Sequence, residues 1–357
     1  MARALRLAHR GLYTTDPNPR VGCVLVQGSQ VVGEGWHQRA GEAHAEIHAL
    51  RAAGERARGA TAFITLEPCS HHGRTPPCSE ALIEAQINRA LVAMPDPNPK
   101  VGGSGVAALR QAGIDVEIGL LQRQAEALNP GFISRMRRGR PFVRAKLAAS
   151  LDGGTAMRSG ESKWITGEAA RLDVQRWRAR SSAIMTGIGT VLKDDPRLSV
   201  RTIAAGRQPL RVVVDSRLRM PPHSALTADD GRGVLVATCA SDDRHAKPFR
   251  AAGVEVLCLP GEQGRVDLPA LMRQLAVRGI NEVLLESGAT LCGAMLHENL
   301  VDELVVYLAP CLIGADAQGM FELPVLTRLQ DRVRLDIQDV RAVGDDWRII
   351  ARVRSKE

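Results

Sequence analysis

Apolar positions along the chain fall into two successive series of alternating strand and helix patterns. In the first, residues 2–12 recur with helical spacing, which predicts an amphipathic helix ended by the turn-rich TTDPNPR. VGCVLV (21–26) and VVGEGW (31–36) predict two strands about the turn Gln27-Gly28-Ser29. A helix is predicted over 43–54, with a Gly stop, and a strand over TAFITLE (61–67). Cys78, preceded by Pro76 and Pro77, opens a helix to about 86. A strand at 89–94, a helix at 104–112 and a strand at 114–119 complete a three-layer α/β pattern. The echo of DPNPRVG (16–22) in DPNPKVG (96–102) reads as two similar loops, since a solenoid needs short regular periods.

The basic segment SRMRRGRP (134–141) interrupts this pattern and predicts a boundary between domains 1–140 and 141–357. Strands are expected in the second series at 142–149, 183–186, 210–215, 233–238, 254–259, 282–286 and 303–309. Helices are expected at 167–180, 267–278 and 289–298, with β structure from about 333 to 354.

Composition narrows the function classes. Hydrophobic residues are 45% and charged residues 24%, ordinary for a globular protein. The net charge of +8 suits nucleic acid, a small anionic ligand or a solvated basic surface. Aromatic residues are only 3%, too few for the stacking platforms of a single-strand binder. No nucleic-acid partner is therefore expected. No apolar run approaches the ~18 residues of a membrane span, and Arg3, Arg6, His9 and Arg10 break any signal-peptide core. The expectation is a cytoplasmic protein with no membrane partner. Seven cysteines, an odd number, point to a metal or free thiols rather than disulfides.

His44-Ala45-Glu46 and Pro68-Cys69 followed by Cys78 carry the sharpest chemistry. One His and two Cys give Zn²⁺ three ligands and leave one tetrahedral position open for water, whose pKa on zinc drops to roughly 7. A helix N-terminus favours the thiolate of Cys78. Glu46, two residues from His44, reaches the open position without ligating and can shuttle the proton to departing ammonia. The order H-x-E then P-C-x-x-C marks zinc nucleobase deaminases. Here eight residues, SHHGRTPP, separate the cysteines instead of two. A closed structural site, with His71 or His72 as fourth ligand, would leave Glu46 without a task.

Three glycine-rich segments could cradle phosphate. Gly103 to Ala108 fits G-x-G-x-x-A formally, but a Pro-rich loop precedes it where a strand is needed. GIGTVLKDDPRLSVR (187–201) and ESGATLCGAML (286–296) each follow an apolar strand, the order that suits a pyrophosphate at a helix N-terminus. Either could equally be a plain αβ turn.

NPRVGC, HAEIHAL and EPCSHHGRTPPC together resemble the deaminase half of the bifunctional deaminase/reductases of riboflavin biosynthesis. KLAASLDGGTA, SGESKWIT, TGIGTVLKDDPRLSVR, VVVDSRL, LLESGATLCGAML and VDELVVYLAPCLIG resemble the reductase half, in the same order. The resemblance spans nearly the whole chain. It implies a cytidine-deaminase-like domain with one zinc ion, then a dihydrofolate-reductase-like domain that uses NADPH. The implied substrate is 2,5-diamino-6-ribosylamino-4(3H)-pyrimidinone 5′-phosphate. Its 2-amino group is hydrolysed first; its ribose then opens to an imine at C1′ and is reduced to ribityl.

Carried over by resemblance, Asn18 presents its amide to the pyrimidine, and His71 and Arg74 hold ribose and phosphate. Ala148, Trp164, Thr190 and Asp194 line the cofactor. Ser216, with Arg217 beside it, lies near the adenosine 2′-phosphate. Gly288, Ala289, Thr290, Leu291, Cys292, Gly293 and Ala294 wrap the pyrophosphate. Ser162, Arg178, Leu198, Arg201 and Glu286 hold the substrate, the arginines on its phosphate, and Lys146 also reaches it. Taken alone, Trp164 could be a core residue, Arg178 a solvated one and Asp194-Asp195-Pro196 a turn. Gly154 departs from the pattern, where a basic residue near the cofactor is expected. The resemblance further implies a homodimer through the second domain. Two other readings are a nucleotide or tRNA-base deaminase with an unrelated C-terminal domain, and a zinc-stabilised RNA-binding protein.

Overall fold

A computed structural model describes residues 1–357 apart from 71–76, 100, 229–230 and 355–357. Two units, Met1–Arg140 and Pro141–Glu357, each carry their own sheet and core.

The first unit runs α1 (Ala2–His9), β1 (Gly22–Gln27), β2 (Gln30–Trp36), α2 (Ala45–Ala53), β3 (Thr61–Ile64), α3 (Cys78–Glu84), β4 (Arg89–Val92), α4 (Ser104–Gln111), β5 (Asp115–Ile118), α5 (Gln122–Leu128) and α6 (Pro130–Arg138). Its sheet has the order β2-β1-β3-β4-β5; β1 is antiparallel to both neighbours, and β3, β4 and β5 are parallel. Both faces are covered, because strand side chains alternate between them. Cys23, Leu25, Ala62 and Ile64 pack with Ala45 and Ala49 of α2 and Leu82 of α3. Val24 and its neighbours Val26 and Phe63 meet Ala4 and Leu7 of α1. The three layers expected from the sequence are present.

Gly35 sets how closely α2 lies on β2: a Cβ there would stand 2.2 Å from Ala45 O. This contact fixes the start of α2 and hence His44 and Glu46. Neither α5 nor α6 is anticipated by the apolar pattern. The basic segment is instead the last turn of α6, with Arg135, Arg137 and Arg138 at the end where a helix favours cations. Gly139 (φ 63°) terminates it.

The second unit runs β6 (Phe142–Ser150), β7 (Gly154–Ala156), α7 (Glu168–Arg180), β8 (Ala183–Gly187), α8 (Ile188–Asp194), β9 (Leu210–Val214), β10 (Val234–Thr238), α9 (Asp243–Ala251), β11 (Glu255–Cys258), α10 (Leu268–Val277), β12 (Glu282–Leu285), α11 (Ala289–His297), β13 (Glu303–Ala309), β14 (Gln318–Gly319), β15 (Leu335–Val343) and β16 (Asp346–Val353). Nine strands form one sheet, β11-β10-β9-β8-β12-β6-β13-β16-β15. It is parallel from β11 to β13, and the β15–β16 hairpin joins it antiparallel. Leu271 and Leu275 of α10 and Met295 of α11 cover one face. Val174 and Trp177 of α7 and Phe249 of α9 cover the other. From β8 the chain steps outward through β9, β10 and β11, whereas β12 inserts between β8 and β6. That reversal opens a crevice at the carboxyl ends of the strands, where ligands of such sheets bind.

Candidate active sites

In the first unit, His44 is the extended residue (ψ 168°) before α2, Glu46 lies in the first turn of α2, and Cys78 is the first residue of α3. Cys69 follows β3. The ligand atoms of His44, Cys69 and Cys78 all lie within 4.8 Å of one another. His44 Nδ1 is 3.2 Å from Cys78 Sγ and 3.5 Å from Cys69 Sγ. No fourth His, Cys, Asp or Glu joins this group among the described residues. His71, His72 and Arg74 lie outside the described residues.

The Cys78 thiol, donating to Cys69, together with His44 and the Cys78 backbone N–H (3.3 Å), pulls the Cys69 thiol down to about 4. The same shared proton pushes Cys78 up. A divalent ion among these atoms would replace that proton and hold both sulfurs as thiolates. Glu46 is 3% exposed, and burial pushes its carboxyl up to about 7. Among the described residues its buried Oε2 has no hydrogen-bond partner. A lone buried acceptor is costly unless a ligand satisfies it. A proton-bearing group at the open position beside the triad would do so, and the donor set fits zinc.

Asn18 and His37 sit beside this centre. His37 is buried, and its ring meets that of His44 edge-on, with centroids 5.3 Å apart. Glu67, not singled out from the sequence, anchors the strand end before Cys69. Its two oxygens accept from the N–H groups of Asp96 and Gly103 (3.0 Å each), Gly105 (3.0 Å) and Val106 (3.1 Å). The anion at the start of α4 is thus a side chain of the protein, and the formal G-x-G-x-x-A there needs no nucleotide. A Cβ on Gly105 would lie 1.9 Å from Pro68 O, so close approach is the reason for glycine.

In the second unit, a cavity of about 1770 Å³ opens at the carboxyl ends of β6, β8, β9 and β12. Lys146 and Ala148 reach it from β6, Ser162 and Trp164 from the following loop, and Arg178 from α7. Thr190 and Asp194 on α8, then Leu198 and Arg201, form another wall. Ser216 and Arg217 follow β9, and Glu286, Gly288, Ala289, Thr290, Leu291 and Ala294 follow β12. Cys292 and Gly293 do not line it. Cys292 is wholly buried in the core, and a Cβ on Gly293 would stand 2.0 Å from Glu322 O.

Trp164 is 70% exposed, with the Arg171 guanidinium 4.7 Å from its ring centre, so it is not a core residue. The Arg178 guanidinium grips Glu286 with two bonds of 2.7 and 2.8 Å and also donates to Ser199 O at 3.3 Å. Its fork therefore faces a carboxylate of the protein, not open solvent. Burial would raise Glu286, but Arg178 and Lys146 outweigh it and hold the carboxyl below the usual range. Burial lowers Lys146, with Glu286 opposing and Arg178 reinforcing that shift. Lys163 Nζ lies 3.5 Å from Asp194.

Ser216 Oγ accepts from Val266 N at 3.3 Å, which ties loop 260–266 to the end of β9. Arg219 and Arg265 line the same cavity and were missed by sequence reasoning, because no motif announces them; Arg197, inside GIGTVLKDDPRLSVR, also lines it and was not singled out. A Cβ on Gly154 would lie 2.5 Å from Ile313 Cδ1 and 2.7 Å from Ala317 Cβ. A basic side chain there would enter that packing.

Residues 1–94 match the cytidine and deoxycytidylate deaminase zinc-binding region, and residues 141–349 match the RibD C-terminal domain. The riboflavin biosynthesis protein RibD of Escherichia coli (strain K12) is 51% identical over 358 residues, covering 97% of this chain and 96% of its own length. That of Haemophilus influenzae is 47% identical over 361 residues, covering 98% and 95%. The RibD structure of Acinetobacter baumannii (form 1) superposes with a TM-score of 0.91 at 46% identity, over 99% of this chain and 98% of that one. A diaminohydroxyphosphoribosylaminopyrimidine deaminase/5-amino-6-(5-phosphoribosylamino)uracil reductase from Thermotoga maritima gives 0.86 at 32% identity, over 99% and 97%. The chain belongs to the RibD family, the bifunctional deaminase/reductases of riboflavin biosynthesis, with a zinc-binding deaminase domain and a reductase domain that uses NADPH.

Proposed function

We propose that residues 1–140 deaminate 2,5-diamino-6-ribosylamino-4(3H)-pyrimidinone 5′-phosphate and that residues 141–357 then reduce its ribosyl chain to ribityl. The observation that carries the first step is the orphaned, buried Glu46 Oε2 beside a three-ligand cluster with one position open. Zinc held by His44, Cys69 and Cys78 would supply Lewis acidity at the open position. Glu46 accepts the proton of the attacking water and passes it to the amino group as ammonia leaves. Asn18 binds the pyrimidine edge. His71 and Arg74, by family resemblance, hold ribose and phosphate.

For the second step, NADPH bound in this cavity would supply the hydride that reduces the ribosyl chain. The N-terminus of α11, from Gly288 to Leu291 and Ala294, suits its pyrophosphate. Ala148, Trp164, Thr190 and Asp194 position the cofactor. Arg217 and Arg265 are cations at the Ser216 end of the cavity and suit the 2′-phosphate. Arg201 and Arg197, on the loop after α8, suit the substrate phosphate. Ser162, Lys146, Leu198 and Glu286 face the substrate, and Arg178 acts through Glu286 by holding its carboxylate in place. Cys292 and Gly293 support α11 from behind and touch no ligand.

Mass spectrometry of product from the purified chain tests both halves. Without NADPH the product is the deaminated ribosylaminouracil phosphate; with NADPH its mass rises by two hydrogens. Unchanged substrate in both samples would sink the reading.

We further propose a homodimer through residues 141–357. Strand β15 is a sheet edge, and Ile337, Val340 and Trp347 of the β15–β16 hairpin are exposed. Ile337→Lys should convert dimer to monomer in sedimentation velocity; a wild-type monomer would refute the assembly.

A further inference from the structure

His37 has no assigned role, yet both of its ring nitrogens are engaged. Nδ1 lies 3.1 Å from Ala43 O, and Nε2 lies 3.0 Å from Asn18 Nδ2. A carbonyl oxygen only accepts, so Nδ1 carries the N–H. A neutral ring then offers only a lone pair at Nε2, and Asn18 must meet it with its NH₂ group. Asn18 Oδ1 is thereby turned away from the imidazole, with no protein partner among the described residues.

The rest of this arrangement is tightly built. His37 N donates to Val21 O at 2.9 Å, and Asn18 N donates to Thr15 O at 2.8 Å. A Cβ on Gly11 would lie 2.8 Å from His37 O, so the loop that carries Asn18 packs directly on His37. The same imidazole contacts the ring of His44. One buried ring therefore links the pyrimidine-binding amide to a metal ligand.

We infer that His37 is a positioning residue that fixes the Asn18 amide so that its carbonyl oxygen, not its NH₂, meets the pyrimidine. This rests on the deaminase reading above. The chemistry is selective. In a 2-aminopyrimidin-4(3H)-one, the amino-bearing carbon is flanked by a ring N–H, which an amide oxygen can accept. A cytosine nucleoside has a lone pair and a C–H in the flanking positions. The fixed acceptor favours the former, because the wrong ring leaves a polar group unpaired or opposed.

A double-mutant cycle in the full chain tests this, with 2,5-diamino-6-ribosylamino-4(3H)-pyrimidinone 5′-phosphate as substrate and with ammonia release and bound zinc as readouts. His37→Gln and His37→Met are matched in length, but only Gln offers an acceptor in place of Nε2. His37→Met and Asn18→Ala should each lower kcat/KM about tenfold, mainly through KM, with zinc retained. The double variant His37→Met/Asn18→Ala should fall no further than Asn18→Ala alone. His37→Gln should stay within about threefold of wild type. Multiplied losses, equal activity of the Met and Gln variants, or loss of zinc from His37→Met would overturn the inference. Absence of ammonia release from the wild-type chain would instead defeat the deaminase reading, and this inference with it.

Discussion

The two candidate sites place their chemistry at opposite densities. In the first unit, three candidate ligand atoms lie within 4.8 Å of one another, with one buried carboxylate two residues from His44. In the second, the proposed contacts are spread around a cavity of about 1770 Å³ on several strand ends and loops. A compact metal centre has no redundancy, whereas a long anionic ligand is held by many contacts. Loss of one group should be severe in the first site and graded in the second.

The largest effect should come from the metal. Stripping zinc with a chelator should abolish ammonia release, yet leave NADPH oxidation intact when the deaminated intermediate is supplied. The reason is that each unit has its own core and, among the described residues, the cavity is lined from 146 onward. Loss of both activities on chelation would show that the sites are not independent. Glu46→Gln should come next. It should keep zinc, measured by metal analysis, and lose about 10³-fold in deamination, because the amide cannot take the proton. Near-normal ammonia release from this variant would remove Glu46 from the chemistry.

The same contrast governs what the sequence made readable. His44-x-Glu46 and the two cysteines are legible because their spacing alone implies helix starts and a shared ion. Strands such as β10 and β12 are legible because their apolar runs are buried, whereas the mostly exposed β15 shows only as β structure from about 333 to 354. Helices α5 and α6 are not legible, since QRQAEAL and PGFISRMRR offer little apolar period. The Arg178–Glu286 pair is not legible, since the two residues lie far apart in sequence and only the fold brings them to 2.7 Å. Cys292 and Gly293 belong to a motif whose helix turns them inward, because successive residues point about 100° apart. His37, Glu67 and Arg265 carry no motif, and only tertiary contacts single them out.

The smallest effects should separate Arg217 from Arg265, and they bear most directly on graded recognition. Both cations line the cavity, and neither has a carboxylate partner among the described residues. Ser216 Oγ is engaged by Val266 N, the residue after Arg265, so the two arginines flank one anchored junction. An extra phosphate on the adenosine ribose is the one group that distinguishes NADPH from NADH. If both arginines meet it, Arg217→Ala should raise KM for NADPH about tenfold and Arg265→Ala about threefold. KM for NADH should barely move in either case. The smaller effect is assigned to Arg265 because it sits on loop 260–266, whereas Arg217 directly follows the anchored Ser216. Equal losses with both cofactors would place that arginine on the shared pyrophosphate or adenine instead.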